Sequence, residues 1–159
     1  SMRLALYQPD IAQNTGTILR LGACLGIPVD VIGPAGFDMS DRALRRAGLD
    51  YLAHVDLTRH VTFEDFEAAR RVTAGRLVLL SSHAETAHID FCFAPGDVIL
   101  LGRESAGVPK PVYDVADARL RIPMRPGLRS LNIAVAAAIA VGEALRQTGG
   151  FHHPNPSES

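Results

Sequence analysis

The chain has 159 residues, 47% hydrophobic and 21% charged, with a formal net charge of −1 and a pI of about 6.6. That length buries a core in one domain without staples, and near-neutrality argues against a polycation that coats nucleic acid non-specifically. No apolar run reaches the roughly 18–20 residues that a membrane span needs, and the two distant cysteines, Cys24 and Cys92, lack CxxC spacing, which points to a reduced, cytoplasmic protein.

Taken in chain order, Ser1 ahead of Met2 reads as a remnant of tag cleavage. No basic segment followed by a long apolar one opens the chain, so a secretory leader is not expected. Five short apolar runs predict strands: Leu4–Tyr7, Val29–Ile32, Leu77–Leu80, Val98–Leu101 and Leu120–Ile122. Several are apolar at consecutive positions, as in parallel strands covered on both faces. Helical patterns separate them. Asn14 to Leu25 sets Ile18, Leu21 and Leu25 on one face, with Asn14 as N-cap. Ser40 caps a segment that runs through Arg46 to a stop at Gly48. Thr62 precedes an acidic first turn, Glu64 and Asp65, of a helix reaching Ala74-Gly75. Ser130 or Asn132 opens a last helix of small apolar residues from Ile133 to Leu145, ending near Thr148-Gly149-Gly150. Alternating strands and helices predict an α/β fold with a mainly parallel sheet, one domain over residues 2–150, and a flexible, proline-broken tail over 151–159.

Three islands rich in glycine and polar residues stand beside strand ends, where open α/β sheets bind ligands. The first is Gln8-Pro9-Asp10-Ile11-Ala12-Gln13-Asn14-Thr15-Gly16 with Arg20, placed to share the Asn14 end of a site. The plain alternative is a capping Asn14 and a solvated Arg20. The second is Leu101-Gly102-Arg103-Glu104-Ser105-Ala106-Gly107-Val108-Pro109, in which Glu104 is a charge at the mouth of a buried strand. Such a charge faces a ligand or is paired, the candidate partners being Arg103 and Arg20. The third joins Ile122-Pro123-Met124 to Arg129-Ser130-Leu131-Asn132 at a helix start, which offers free N–H groups and a positive dipole end. Ile122 and Met124 suit the walls of an adenine pocket, or ordinary core. Neither a dinucleotide fingerprint nor a P-loop is present, since Val-Pro follows Gly107. His54, His60, His83 and His88 lack metal-ligand spacing, and Ser81-Ser82-His83 lacks the context of a nucleophile elbow; all read as structural or surface residues. Lys110 is the only lysine, and Arg103, Arg119, Arg121, Arg125 and Arg129 fall in or beside the islands as a local basic rim. Arginine forks onto phosphate, although GC-rich codon usage is an equally plain reason for the bias.

Together the islands resemble the SPOUT (α/β-knot) RNA methyltransferases, most of all the small tRNA (cytidine/uridine-34)-2′-O-methyltransferase group. The resemblance covers nearly the whole chain. It rests on Leu6-Tyr7-Gln8-Pro9, Gln13-Asn14-Thr15-Gly16, Arg20, Leu44-Arg45-Arg46-Ala47-Gly48-Leu49-Asp50-Tyr51, Gly102, Glu104-Ser105, Gly107, Ile122-Pro123-Met124, Arg129-Ser130-Leu131-Asn132 and Glu143-Ala144-Leu145-Arg146-Gln147. It implies a C-terminal trefoil knot, which no periodicity argument would propose. It also implies a homodimer, S-adenosylmethionine contacts at Leu80, Gly102, Ile122, Met124 and Ser130, and methyl transfer to the 2′-hydroxyl of nucleotide 34 in a tRNA anticodon stem-loop. No metal or membrane is implied. Arg20, Asn14, Glu104, Ser130 and Asn132 are the implied catalytic set. An arginine stays protonated, so the expected part for Arg20 is a phosphate clamp that lowers the hydroxyl pKa. Arg103 and Ala106 depart from the residues common in relatives, as does Ala134-Val135. Two other readings stay open: a knotted methyltransferase for another tRNA or rRNA position, and a non-catalytic RNA-binding module. A Rossmann oxidoreductase lacks its glycine fingerprint.

Overall fold

The computed structural model describes residues 1–46, 51–128 and 130–153. Seven strands form one sheet: β1 (Arg3–Tyr7), β2 (Val29–Ile32), β3 (Leu57–His60), β4 (Leu77–Leu80), β5 (Thr86–Ala87), β6 (Val98–Leu101) and β7 (Ala118–Arg121). Their spatial order is β3-β2-β1-β6-β4-β7-β5, and every neighbouring pair is parallel. Among the described residues five α-helices accompany them: α1 (Ala12–Leu25), α2 (Asp41–Arg46), α3 (Phe63–Thr73), α4 (Lys110–Val115) and α5 (Ile133–Thr148).

The alternation of side chains along each strand splits the core in two. Leu4, Leu6, Val29, Val31, Ile99 and Leu101 face one layer, where Ile18 and Leu19 of α1 and Ala137, Val141 and Ala144 of α5 cover them. Ala5, Tyr7, Ile32, Leu77, Leu79 and Leu100 face the other, under Phe66 of α3 and Val112 of α4. The α/β expectation therefore holds, with helices on both faces. Alanines at 137, 140 and 144 have no exposed surface and let α5 lie close to its neighbours.

Three of the five expected strands, Val29–Ile32, Leu77–Leu80 and Val98–Leu101, occupy the expected residues. The last expected strand, Leu120–Ile122, is instead Ala118–Arg121, because Ala118 and Arg119 already pair with Val78 and Leu79. Strands β3 and β5 were not foreseen. The first is an edge strand whose Thr58 and Arg59 are exposed, so it has no continuous apolar run, and the second has two residues. The short helix α4, with a proline in its first turn, was also unforeseen.

Capping follows the chemistry of the sequence at three helix starts and departs from it at one. Ser40 Oγ accepts from Ala43 N, Thr62 Oγ1 accepts from Asp65 N, and Asn132 Oδ1 accepts from Ala134 N at 2.8 Å. Asn132, not Ser130, thus opens α5. Asn14 is not an N-cap. Helix α1 begins earlier, at Ala12, behind Ile11, which caps with no side chain, and the Asn14 side chain is engaged elsewhere. The expected stop at Gly48 and most of the expected tail, 154–159, lie outside the described residues.

Candidate active site

The carboxyl ends of β4, β6 and β7 open into one cavity of about 890 Å³, within the roughly 300–1,000 Å³ of small-molecule sites. Its walls bring the three islands together. Leu80 and Ser81 come from the end of β4, Gly102 to Gly107 from the end of β6, and Ile122, Met124 and Ser130 from the loop after β7. Asn14 of α1 and Asn132 at the start of α5 close one side.

The β6 loop has its shape because of its two glycines. Arg103 and Gly107 exchange backbone hydrogen bonds of 2.9 Å in both directions, forming an antiparallel bridge. A Cβ on Gly102 would stand 2.7 Å from the carbonyl carbon of Gly107, closer than atoms tolerate. Gly107 has φ +63°, the left-handed region that glycine adopts at no steric cost. The loop is thereby pinched shut and its intervening residues are pushed against the β1–α1 connection.

Glu104 is neither paired with Arg103 nor with Arg20. Its Oε2 accepts from Asp10 N at 3.0 Å, while Asp10 Oδ1 accepts from Glu104 N at 3.2 Å. The Ser105 hydroxyl also donates to Asp10. Burial, reinforced by the hydrogen bond with Asp10, pushes the Glu104 carboxyl above the usual carboxylate range. Hydrogen bonds from Glu104 and then Ser105 hold Asp10 down at about 2.

Asn132 serves two elements. While its Oδ1 caps α5, its Nδ2 donates to Asn14 Oδ1 at 2.9 Å. This single amide ties the start of α5 to the first turn of α1 and fixes which way Asn14 presents its own amide.

Among the described residues the cavity wall carries Arg103, Arg121 and Arg125 against one carboxylate, Glu104. The local field is positive on a chain of formal charge −1. Of the expected basic rim, Arg119 is not part of it. That side chain turns back over the Tyr113 ring and donates to the Tyr113 and Asp114 carbonyls. Arg129 lies outside the described residues, as do Ala47 to Asp50 of the motif.

Arg20 is the one candidate the cavity does not include. Six residues turn an α-helix by about 600°, which leaves Arg20 about 120° around the axis from Asn14. It is exposed, with its guanidinium 4.7 Å from the centre of the Tyr51 ring. The other candidates, Asn14, Glu104, Ser130, Asn132, Leu80, Gly102, Ile122 and Met124, all line the cavity. Sequence reasoning passed over Asp10, whose partners are 94 and 95 residues away, and set aside Ser81, Ser82 and His83, which stand in the wall at the end of β4. The signal for the latter three was position, directly after a buried strand. By contrast His60 is structural, with Nε2 3.1 Å from Asp30 and its ring edge-on to Phe66.

The chain that builds this cavity at the carboxyl ends of three parallel strands matches a known family. Residues 1–142 fit the model of the SpoU rRNA Methylase family. The chain belongs to that family. It is 61% identical to the tRNA (cytidine(34)-2′-O)-methyltransferase of Beijerinckia indica over 148 residues, which are 93% of this chain and 92% of the relative. Its identity to the protein of that name in Escherichia coli K12 is 39%, over 93% of this chain and 94% of the other. A solved structure described as giving insights into 2-OH methylation of C/U34 on tRNA superposes with a TM-score of 0.85 at 43% identity, covering 92% of this chain and 95% of that one. An AdoMet-bound rRNA methyltransferase from Sinorhizobium meliloti superposes with a TM-score of 0.79 at 26% identity, over 92% of this chain and 56% of the other.

Proposed function

We propose that this protein transfers a methyl group from S-adenosylmethionine to the ribose 2′-hydroxyl of tRNA nucleotide 34, a cytidine or a modified uridine. The observation that carries this reading is the meeting in one cavity of the glycine-bearing loops after β6 and β7 with Asn14 of α1, in a chain 61% identical to a relative named for that reaction.

The residues present fit the methyl donor. Leu80, Ile122 and Met124 offer apolar walls for an adenine, and the Gly102 and Ser130 loops offer backbone N–H and C=O groups to its polar edges. When bound, S-adenosylmethionine supplies a methyl carbon already activated on a sulfonium. What remains for the chain is to orient the ribose and manage one proton. Asn14, held by Asn132, presents its amide toward the sugar. Arg20 grips a phosphate and lowers the hydroxyl pKa by its charge, with Glu104 or a phosphate oxygen helping the proton leave.

Arg20 meets that task through a second copy of the chain. It stands outside the cavity of its own chain, and Ile11, just before α1, and Val135 and Ile139 of α5, which packs on α1, are 39–48% exposed. An apolar face of that kind suits a homodimer in which each Arg20 completes the partner's site. The family's trefoil knot belongs to the same reading, supported by a chain that passes back and forth across β4 on its way from β5 to β6 to β7. Arg121 and Arg125 give the anticodon stem-loop phosphates a place to bind, and unpaired loop bases are the part of RNA that proteins read best. No helix among the described residues is long and apolar enough to cross a membrane, and a tRNA substrate puts the reaction in the cytoplasm.

The test is mass spectrometry of nucleosides from tRNA incubated with the protein and isotope-labelled methyl donor. Label in 2′-O-methylated nucleotide 34 is the expected result. Label at another position, or cofactor binding without any transfer, overturns the reading.

A further inference from the structure

We propose that Asp10 is a positioning residue, which ties the Gly102–Gly107 loop to the end of β1 and holds the Glu104 carboxyl group at the cavity wall. The inference rests on the reading above that Glu104 faces the reacting sugar.

The contact is reciprocal. Asp10 gives its backbone N–H to Glu104 Oε2 at 3.0 Å and takes the backbone N–H of Glu104 on Oδ1 at 3.2 Å. Its other oxygen takes the Ser105 hydroxyl, and Arg103 Nη2 stands 3.8 Å from it. The Asp10 side chain is only 16% exposed. Three successive loop residues, 103 to 105, thus converge on one carboxylate, as the two partners of a capping box converge across a helix start. The backbone bridge between Arg103 and Gly107 closes the loop on itself, but nothing in that bridge aims Glu104. Asp10 does, and it also makes Glu104 the harder of the two to ionise. Two carboxyl groups in contact do not both ionise easily. Asp10, with its donors satisfied, ionises first, and desolvation together with the contact to Asp10 pushes the Glu104 carboxyl up. Arg103 is the cation beside the pair, and His83, Arg121 and Arg125 stand on the other walls of the cavity.

Asp10→Asn preserves the side chain's size and the acceptor for the Glu104 N–H but removes the charge, so Glu104 ionises more easily and its titration midpoint falls. The measurement is a ¹³C NMR titration of the protein carrying carboxyl-labelled glutamate, with the Glu104 resonance assigned through Glu104→Gln. A downward shift of about one pH unit in Asp10→Asn is expected. Asp10→Ala, which removes the carboxylate altogether, shifts the midpoint in the same direction and serves if Asp10→Asn does not fold. In methyl transfer, Asp10→Asn lowers kcat more than it raises the KM for the methyl donor, and the acid limb of the pH profile moves down with the NMR midpoint. An unchanged Glu104 midpoint in both variants overturns the proposal. So does a loss of activity equal at every pH, which is what a purely structural contact would produce. The titration needs neither tRNA nor methyl donor, so its outcome is independent of whether the labelled tRNA experiment finds nucleotide 34.

Discussion

At the amino ends of the strands, Arg3 binds Asp30 through two nitrogens, at 2.8 and 3.0 Å. There Arg76 likewise binds Asp97, which also takes the Ala94 N–H and has a side chain only 1% exposed. Asp117 receives Leu77 N at 2.7 Å and lies 3.5 Å from Arg70. At the carboxyl ends, Arg121 and Arg125 form no ion pair among the described residues, and Glu104 leans on a backbone amide and another acid rather than on an arginine. Charge at one end of the sheet is spent on closing the fold. At the other, Asp10 and Arg103 close a loop, while Arg121 and Arg125 are left for something that is not part of the chain. A buried charge without its partner is costly, so the amino-end pairs tolerate loss badly. The carboxyl-end charges are affordable because they border an open cavity, where water or a ligand meets them.

The comparison is open to attack from either end. Removing Arg20 should have the largest effect. Arg20→Ala is expected to cut methyl transfer by about 100- to 1,000-fold, the range for a group that stabilises developing charge, while calorimetry finds methyl-donor affinity largely intact. Equal loss of both would take Arg20 out of the chemistry. Gly102→Ala comes next. Its Cβ has no room beside Gly107, so the β6 loop must open, and cofactor affinity should fall by about tenfold or more with an overpacking cost of about 1–3 kcal/mol, read by calorimetry and thermal melting. At the amino end, Asp97→Ala should cost about 2–3 kcal/mol in denaturant unfolding, since a buried N–H and a guanidinium lose their acceptor. The folded fraction should keep its kcat and KM. A change in kcat there would show that the two ends are not separable. The smallest effect is expected for Arg125→Ala: tRNA binding weakens, and the salt dependence of log K loses about one unit of slope, with cofactor binding unchanged.

How much of this was readable in advance differs by element. Strands β2, β4 and β6 are apolar at nearly every position because both faces of a central parallel strand are covered, so their runs stand out. The edge strand β3 exposes Thr58 and Arg59 and carries no such run. In β7, Arg119 and Arg121 flank Leu120 and masked the true start, which pairing with β4 sets. At the site, the glycines, Asn132 and Glu104 were legible because each sits directly beyond a strand or ahead of a helix. Asp10 was not, although it stands in the first island, since nothing local distinguishes it. Its significance is a partner 94 residues away.

Local chemistry alone therefore accounted for the class of fold, the helix caps at Ser40 and Thr62, a cap at Ser130 or Asn132, and the three stretches from which the site is made. These depend on the alternation of side chains and on hydrogen bonds spanning three or four residues. Strand order, the direction in which Arg20 projects, the Asn14–Asn132 bond and the Asp10–Glu104 clasp emerged only from the folded chain. Each joins residues whose separation along the polymer carries no periodic signal, and each is selected by packing around a shared sheet rather than by the residues on either side.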